Sequence, residues 1–159
     1  MTQLTMLPEN VFTDPWKLRE FILAGNAKIT LRSEKTLKHY TYKIRKAKDG
    51  DIWFVSRLSS DSKYIYLGSI TKHDEHFVFD RTRNSVTHRW LAESFDAFKW
   101  FWKVLREDRL PATATVWHEG RCGMCGKELT DPVSIKNGYG PDCSKMRLSR
   151  PFMYDRNAA

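Results

Sequence analysis

The spacing of apolar residues along this chain changes period twice, from helical to alternating and back. Trp16, Leu18, Phe21, Ile22 and Leu23 recur at helical spacing. Asp14 stands at the N-cap of that segment, Pro15 suits the first helical position, and Gly25 suits the left-handed position past its end. From Ala27 the period becomes two, with Ile29 and Leu31 opposed by Lys28, Thr30 and Arg32. Tyr40, Tyr42 and Ile44 then alternate with Thr41, Lys43 and Arg45, which predicts a second strand. Asp49-Gly50-Asp51 is a hairpin turn signal ahead of Ile52-Trp53-Phe54-Val55, and Ser59 to Ser62 turns the chain into Tyr64-Ile65-Tyr66-Leu67. Phe77-Val78-Phe79 makes a short fifth strand. The connections are too short for parallel crossovers, so the strands form an antiparallel meander.

Helical spacing returns at Phe95, Phe98, Phe101, Trp102 and Leu105, with Ser94 as candidate N-cap and Asp96 in the first turn. This helix can cover the apolar face of the sheet, which gives an α+β fold with two covering helices. Leu110-Pro111-Ala112-Thr113 reads as a linker. The expected organisation is an α+β domain over 1–112 and a small module over 113–159.

That module holds all three cysteines of the 159-residue chain. His118, Cys122, Cys125 and Cys143 follow the spacing His-x3-Cys-x2-Cys-x17-Cys. Three thiols and an imidazole are the donors of a closed, tetrahedral structural zinc site. Cys122-Gly-Met-Cys125-Gly126 has the form of a zinc knuckle, in which glycine after the second cysteine relieves crowding. Gly138-Tyr-Gly-Pro-Asp-Cys143 leads into a helix with Cys143 near its start. Knuckle, hairpin and ligand-bearing helix together predict a treble-clef-like finger holding one Zn2+. His118 is the expected fourth ligand, with Asp142, His88 or a water as substitutes.

Composition sharpens the functional question. The formal charge is +8 with histidine neutral, and it stays strongly basic when three thiolates hold one zinc. Such a field favours anionic partners, nucleic acid first. No segment approaches the roughly 18 apolar residues of a membrane span. Met1 to Asn10 lacks the features of a secretory signal, and Cys-x2-Cys in a reducing compartment points to metal rather than to disulfides.

Three stretches, from Trp117 through Cys125-Gly126, from Leu129 to Ile135 and from Gly138 to Cys143, resemble a family of uncharacterised bacteriophage and mobile-element proteins whose C-terminal zinc module carries one histidine and three cysteines. Phe21 to Leu31, Trp53 to Ser56 and Tyr66 to Ile70 are similar to the upstream region of its members. The resemblance implies a phage origin, hence the cytoplasm of an infected bacterial host, and zinc ligands at His118, Cys122, Cys125 and Cys143. It implies no activity.

Enzymatic readings fit poorly. An HNH nuclease on a treble clef needs histidines on the finger, and none follows His118. A zinc deaminase needs Pro-Cys-x-x-Cys, but Arg121 precedes Cys122. His73-Asp74-Glu75-His76 reads as a solvated turn, and Gly138-x-Gly140 as a turn into the Cys143 helix rather than a phosphate loop. The chain is therefore expected to be non-catalytic.

Positive charge is concentrated in the first hairpin, where Lys28, Arg32, Lys35, Lys38, Lys43, Arg45, Lys46 and Lys48 meet Glu34 alone. With Ile29, Leu31, Tyr40, Tyr42 and Ile44 facing the core, Lys28, Arg32, Lys43 and Arg45 project from the opposite face. Such a ribbon can follow a phosphate backbone, with Thr30 and Thr41 as neutral donors and Trp53 as a stacking surface for an unpaired base. Arg121, Lys145 and Arg147 extend it onto the finger. The leading expectation is DNA or RNA binding without sequence specificity. The competing one is a small effector that binds and inhibits a host protein, such as a restriction or CRISPR component.

Overall fold

The structure, a computed structural model, describes residues 8–149. It is an α+β fold in which six antiparallel strands form one curled sheet in the order β5-β4-β3-β2-β1-β6. The strands are β1 (Asn26–Ser33), β2 (His39–Lys46), β3 (Ile52–Leu58), β4 (Tyr64–His73), β5 (His76–Asp80) and β6 (Ala114–His118). Helix α1 (Pro15–Ile22) precedes the sheet, α2 (Ala92–Arg106) follows the meander, and α3 (Pro132–Asn137) and α4 (Pro141–Ser149) follow β6. Among the described residues no helix is long and apolar enough to cross a membrane.

The predicted meander is present, and β6 adds a sixth strand by pairing antiparallel with β1, Ile29 opposite His118 and Leu31 opposite Val116. Ala114–His118 falls in the stretch assigned from sequence to the 113–159 module, and its five residues carry no strand prediction of their own. Its outer edge is not left bare. Phe12 N–H donates to Val116 O at 2.9 Å and His118 N–H to Asn10 O at 3.0 Å, so the described N-terminal residues cover it.

Asp14 caps α1 as predicted, its carboxylate accepting from Trp16 N–H at 2.9 Å. The helix closes at Leu23, which places Gly25 one position beyond the expected one. Gly25 takes φ +130 on the way into β1, and its carbonyl accepts from Lys46 N–H at 3.0 Å. Ser94 is not a cap. A 3-10 turn over Arg89–Leu91 feeds directly into α2, so Ser94 lies inside the first turn and its hydroxyl donates back to Leu91 O at 2.9 Å.

One face of the sheet builds the core. Ile29, Tyr42, Ile44, Val55, Ile70, Phe77 and Phe79 pack there with Leu18, Phe21 and Ile22 of α1 and Phe98, Phe101, Trp102 and Leu105 of α2, all buried. Each such side chain contributes about 1.5–3 kcal/mol by leaving water. Trp53 belongs to this set, at 1% exposure, with its indole N–H donating to Leu23 O at 3.0 Å. The expected stacking role for Trp53 is therefore overturned. All four residues of Ile52-Trp53-Phe54-Val55 are apolar, so alternation alone does not mark the inner side. Val55 lies opposite the buried Ile44, and that pairing fixes Trp53 inward and Phe54 outward.

A register shift between β3 and β4 decides what stands on the outer face. Val55 pairs with Gly68 and Ser56 with Tyr66, which leaves Leu67 as an extra residue. This bulge flips the parity of the preceding half of β4. Tyr64, opposite Leu58, and Tyr66, opposite Ser56, consequently share the outer face with Phe54 and Lys43.

Candidate metal centre and basic sheet face

The knuckle is fastened to the start of β1. Asn26 N–H donates to Gly123 O at 2.7 Å and Asn26 Nδ2 to Met124 O at 2.7 Å. Gly126 N–H returns to Cys122 O at 2.9 Å, and Gly126 takes φ +80; this left-handed backbone, not the expected crowding, calls for glycine, since a β-carbon there would meet only Asn26 Cβ at 3.9 Å. Arg121 and Glu128 form an isolated bridge that closes the short hairpin. The chain then enters α3 at Pro132. Asp131 caps it by accepting from Ser134 N–H, Pro132 occupies its first turn, and Gly138 at φ +82 ends it. Pro141 then opens α4, which carries Cys143 in its first turn.

These segments bring the sulfurs of Cys122, Cys125 and Cys143 within 4.8 Å of one another. Among the described residues this is the one such group of potential metal ligands. Burial opposes ionisation of Cys122, but the backbone N–H groups of Cys125, Gly140 and Met124, with the Cys125 side chain, hold its thiol below the ordinary value. Cys143 is pushed up to about 12 by burial and by its hydrogen bonds to, and the charge of, Cys122 and Cys125. Three crowded sulfurs that resist shared ionisation fit a cation whose charge relieves the repulsion. The donor set is thus suited to a metal ion, with Cys122 buried and Cys125 exposed.

His118 is held differently. Its ring Nε2 donates to Ile135 O at 2.6 Å, and Nδ1 accepts from Gly120 N–H at 3.0 Å. Both nitrogens are engaged by backbone partners, and the ring lies against Phe12 and Phe21 with centroids 5.8 and 5.6 Å away. Burial lowers the pKa of His118, against the Ile135 carbonyl and Glu119, which favour its protonated form. The geometry makes this imidazole a brace between β6, the knuckle and the end of α3. His73 and Glu75 have His-x-Glu spacing, but they lie at the β4–β5 turn, across the sheet from the β6 edge that leads to the cysteines.

On the outer face, Lys28 and Lys43 are directly opposite across β1 and β2, and each ammonium lies 5.4 Å from the centroid of the Tyr64 ring. Burial, then the charges of Lys43 and Arg121, hold Lys28 below the ordinary lysine value, opposed by Glu119. The Arg121 charge on the knuckle therefore bears on Lys28 of β1. Arg45 is exposed opposite Phe54, whose ring meets Tyr66 edge-on at 5.9 Å. Arg32 stands 5.3 Å from the Trp117 ring and pairs with Glu34 at 3.1 Å.

The other expected contacts fare unevenly. Thr30 is buried and spends its hydroxyl on Thr41 and Glu119, both at 2.7 Å, so this pair is not free for phosphate. Lys145 is exposed on α4, and the Arg147 side chain lies outside the described residues. The aromatic residues that do share the basic face are Tyr64, Tyr66, Phe54 and, beside Arg32, Trp117. The Tyr-x-Tyr spacing hints at a common face, but the bulge that selects the outer one leaves no sequence signal.

The model of a family of unknown function (DUF6011) matches residues 112–147, which span β6, the knuckle, α3 and most of α4. No curated protein and no solved structure matches the chain.

Proposed function

We propose that this protein is a non-catalytic, phage-encoded nucleic-acid-binding protein of the host cytoplasm, in which one zinc ion braces the finger and the outer sheet face holds DNA or RNA. The observation that carries the reading is Lys28 directly opposite Lys43, both ammonium groups 5.4 Å from the Tyr64 ring, with the Arg121 charge also bearing on Lys28 and Glu119 opposing it. Like charges placed directly opposite on adjacent strands cost stability, and a polyanion removes that cost. The zinc assignment rests on the three-thiolate donor set, which suits a soft or borderline ion. We assign the chain's share of the ligands to Cys122, Cys125 and Cys143. A finger of this size has too little apolar material for its own core, and the metal substitutes for one.

Phosphate contacts position a protein without reading sequence, so the reading predicts binding that is indifferent to base order. Fluorescence anisotropy with labelled oligonucleotides across a salt series tests it. Affinity should fall steeply and linearly on a log–log plot, and absence of binding to every nucleic acid at low salt would refute the proposal. The second reading, inhibition of a host protein, draws support from Trp90 and Trp100, which are 51% and 45% exposed. Tight co-purification of one bacterial protein, together with no oligonucleotide binding, would favour it.

A further inference from the structure

We infer that the outer sheet face takes a single strand rather than a duplex, with one base stacked on Tyr64 and its flanking phosphates on Lys28, Lys43 and Arg121. This rests on the nucleic-acid reading above and narrows it. A basic patch alone suits any polyanion, whereas here the charges surround an aromatic ring. Tyr64 is half-buried, and two ammonium groups stand 5.4 Å from its centroid. A base in a duplex has its faces covered by its neighbours, so only an unpaired base can offer a face to a tyrosine.

A second platform lies on the same face. Phe54 and Tyr66 form an edge-on pair at 5.9 Å, both half-buried, with Arg45 opposite Phe54 on β2. Aromatic rings interleaved with cations along one strand direction are the arrangement that holds successive bases and phosphates of an extended strand. The bulge at Leu67 is what makes this possible. Without the slip, Tyr64 and Tyr66 would point to the core side and the face would carry charge without rings.

The test measures binding of the full chain to labelled dT12, to U12 and to a mixed-sequence 12-mer as single strand and as duplex, by anisotropy at low salt. Single strands should bind at least about tenfold tighter than the duplex, and comparison of dT12 with U12 distinguishes DNA from RNA. Tyr64→Ala should weaken single-strand binding by about tenfold or more with little change for the duplex, while Tyr64→Phe should retain it. Lys28→Gln with Lys43→Gln should weaken both forms and reduce the salt slope. Equal affinity for single strand and duplex, with Tyr64→Ala behaving as wild type and the lysine pair still weakening both, would overturn this inference and leave nucleic-acid binding standing. Failure of every oligonucleotide to bind would overturn both. Retention of Tyr64→Phe binding guards against a folding defect being read as lost stacking.

Discussion

The ring of Phe21 occupies the space that a β-carbon on Gly123 would need, its Cε2 only 2.6 Å from that position. Gly138 is blocked by the same ring, at 2.9 Å from Cδ2. A fully buried aromatic of α1 thus sits between the knuckle and the end of α3, so the sheet core and the cysteine loops share one packing surface. Gly123→Ala should cost about 1–3 kcal/mol, because Phe21 has nowhere to move. Gly140→Ala meets no atom within 4 Å and should be close to neutral. Thermal melts of the two variants check the contrast.

His118 should behave as a brace. His118→Ala leaves Ile135 O and Gly120 N–H without their partner, which predicts a loss of about 1–3 kcal/mol from two part-buried groups. Metal content should remain about one ion per chain, as judged by elemental analysis, whereas Cys122→Ser should lose it. Folded His118→Ala protein stripped of metal would make the imidazole a ligand after all.

Trp53 and Tyr64 should separate stability from binding. Trp53→Ala removes a fully buried indole and should destabilise the fold by about 3–5 kcal/mol. Trp53→Phe should stay folded and bind nucleic acid with unchanged affinity, since the ring never reaches the outer face. A selective binding defect in Trp53→Phe would contradict the observed parity of β3.

That parity marks the limit of what the sequence reveals. β1 and β2 alternate apolar with charged residues, so their faces and the outward direction of Lys28 and Lys43 are readable directly. In β3 every candidate is apolar, and only the cross-strand partner Ile44 decides the side. The cysteines announce their own cluster, because few other arrangements explain two thiols around a tight turn and a third on a helix start. His118 misleads, since its spacing matches a ligand while its nitrogens answer to Ile135 and Gly120. Those partners come from the end of α3 and from the loop after β6, which spacing alone does not bring together.

Removing the metal should have a local effect. Cys122, Leu129 and Tyr139 join the core and Cys143 packs against it, but β2 and β3 lie in the middle of the sheet and make their ladders with β1, β4 and each other. Chelation should therefore abolish hydrogen-exchange protection in residues 119–147 while leaving the amides of β2 and β3 protected. Loss of protection throughout the chain would show that the sheet depends on the ion.

The most direct test of nucleic-acid binding at the outer face is charge reversal at a fixed change in net charge. Lys28→Glu with Lys43→Glu alters the outer face; Lys99→Glu with Lys103→Glu makes the same change on exposed positions of α2, which covers the opposite side. Binding of a labelled single-stranded oligonucleotide at low salt is then compared by anisotropy. The account predicts near-complete loss for the first pair and at most a modest, general weakening for the second. Equal loss in both would mean that net charge alone attracts the strand, and full retention in the first would place any binding elsewhere on the protein.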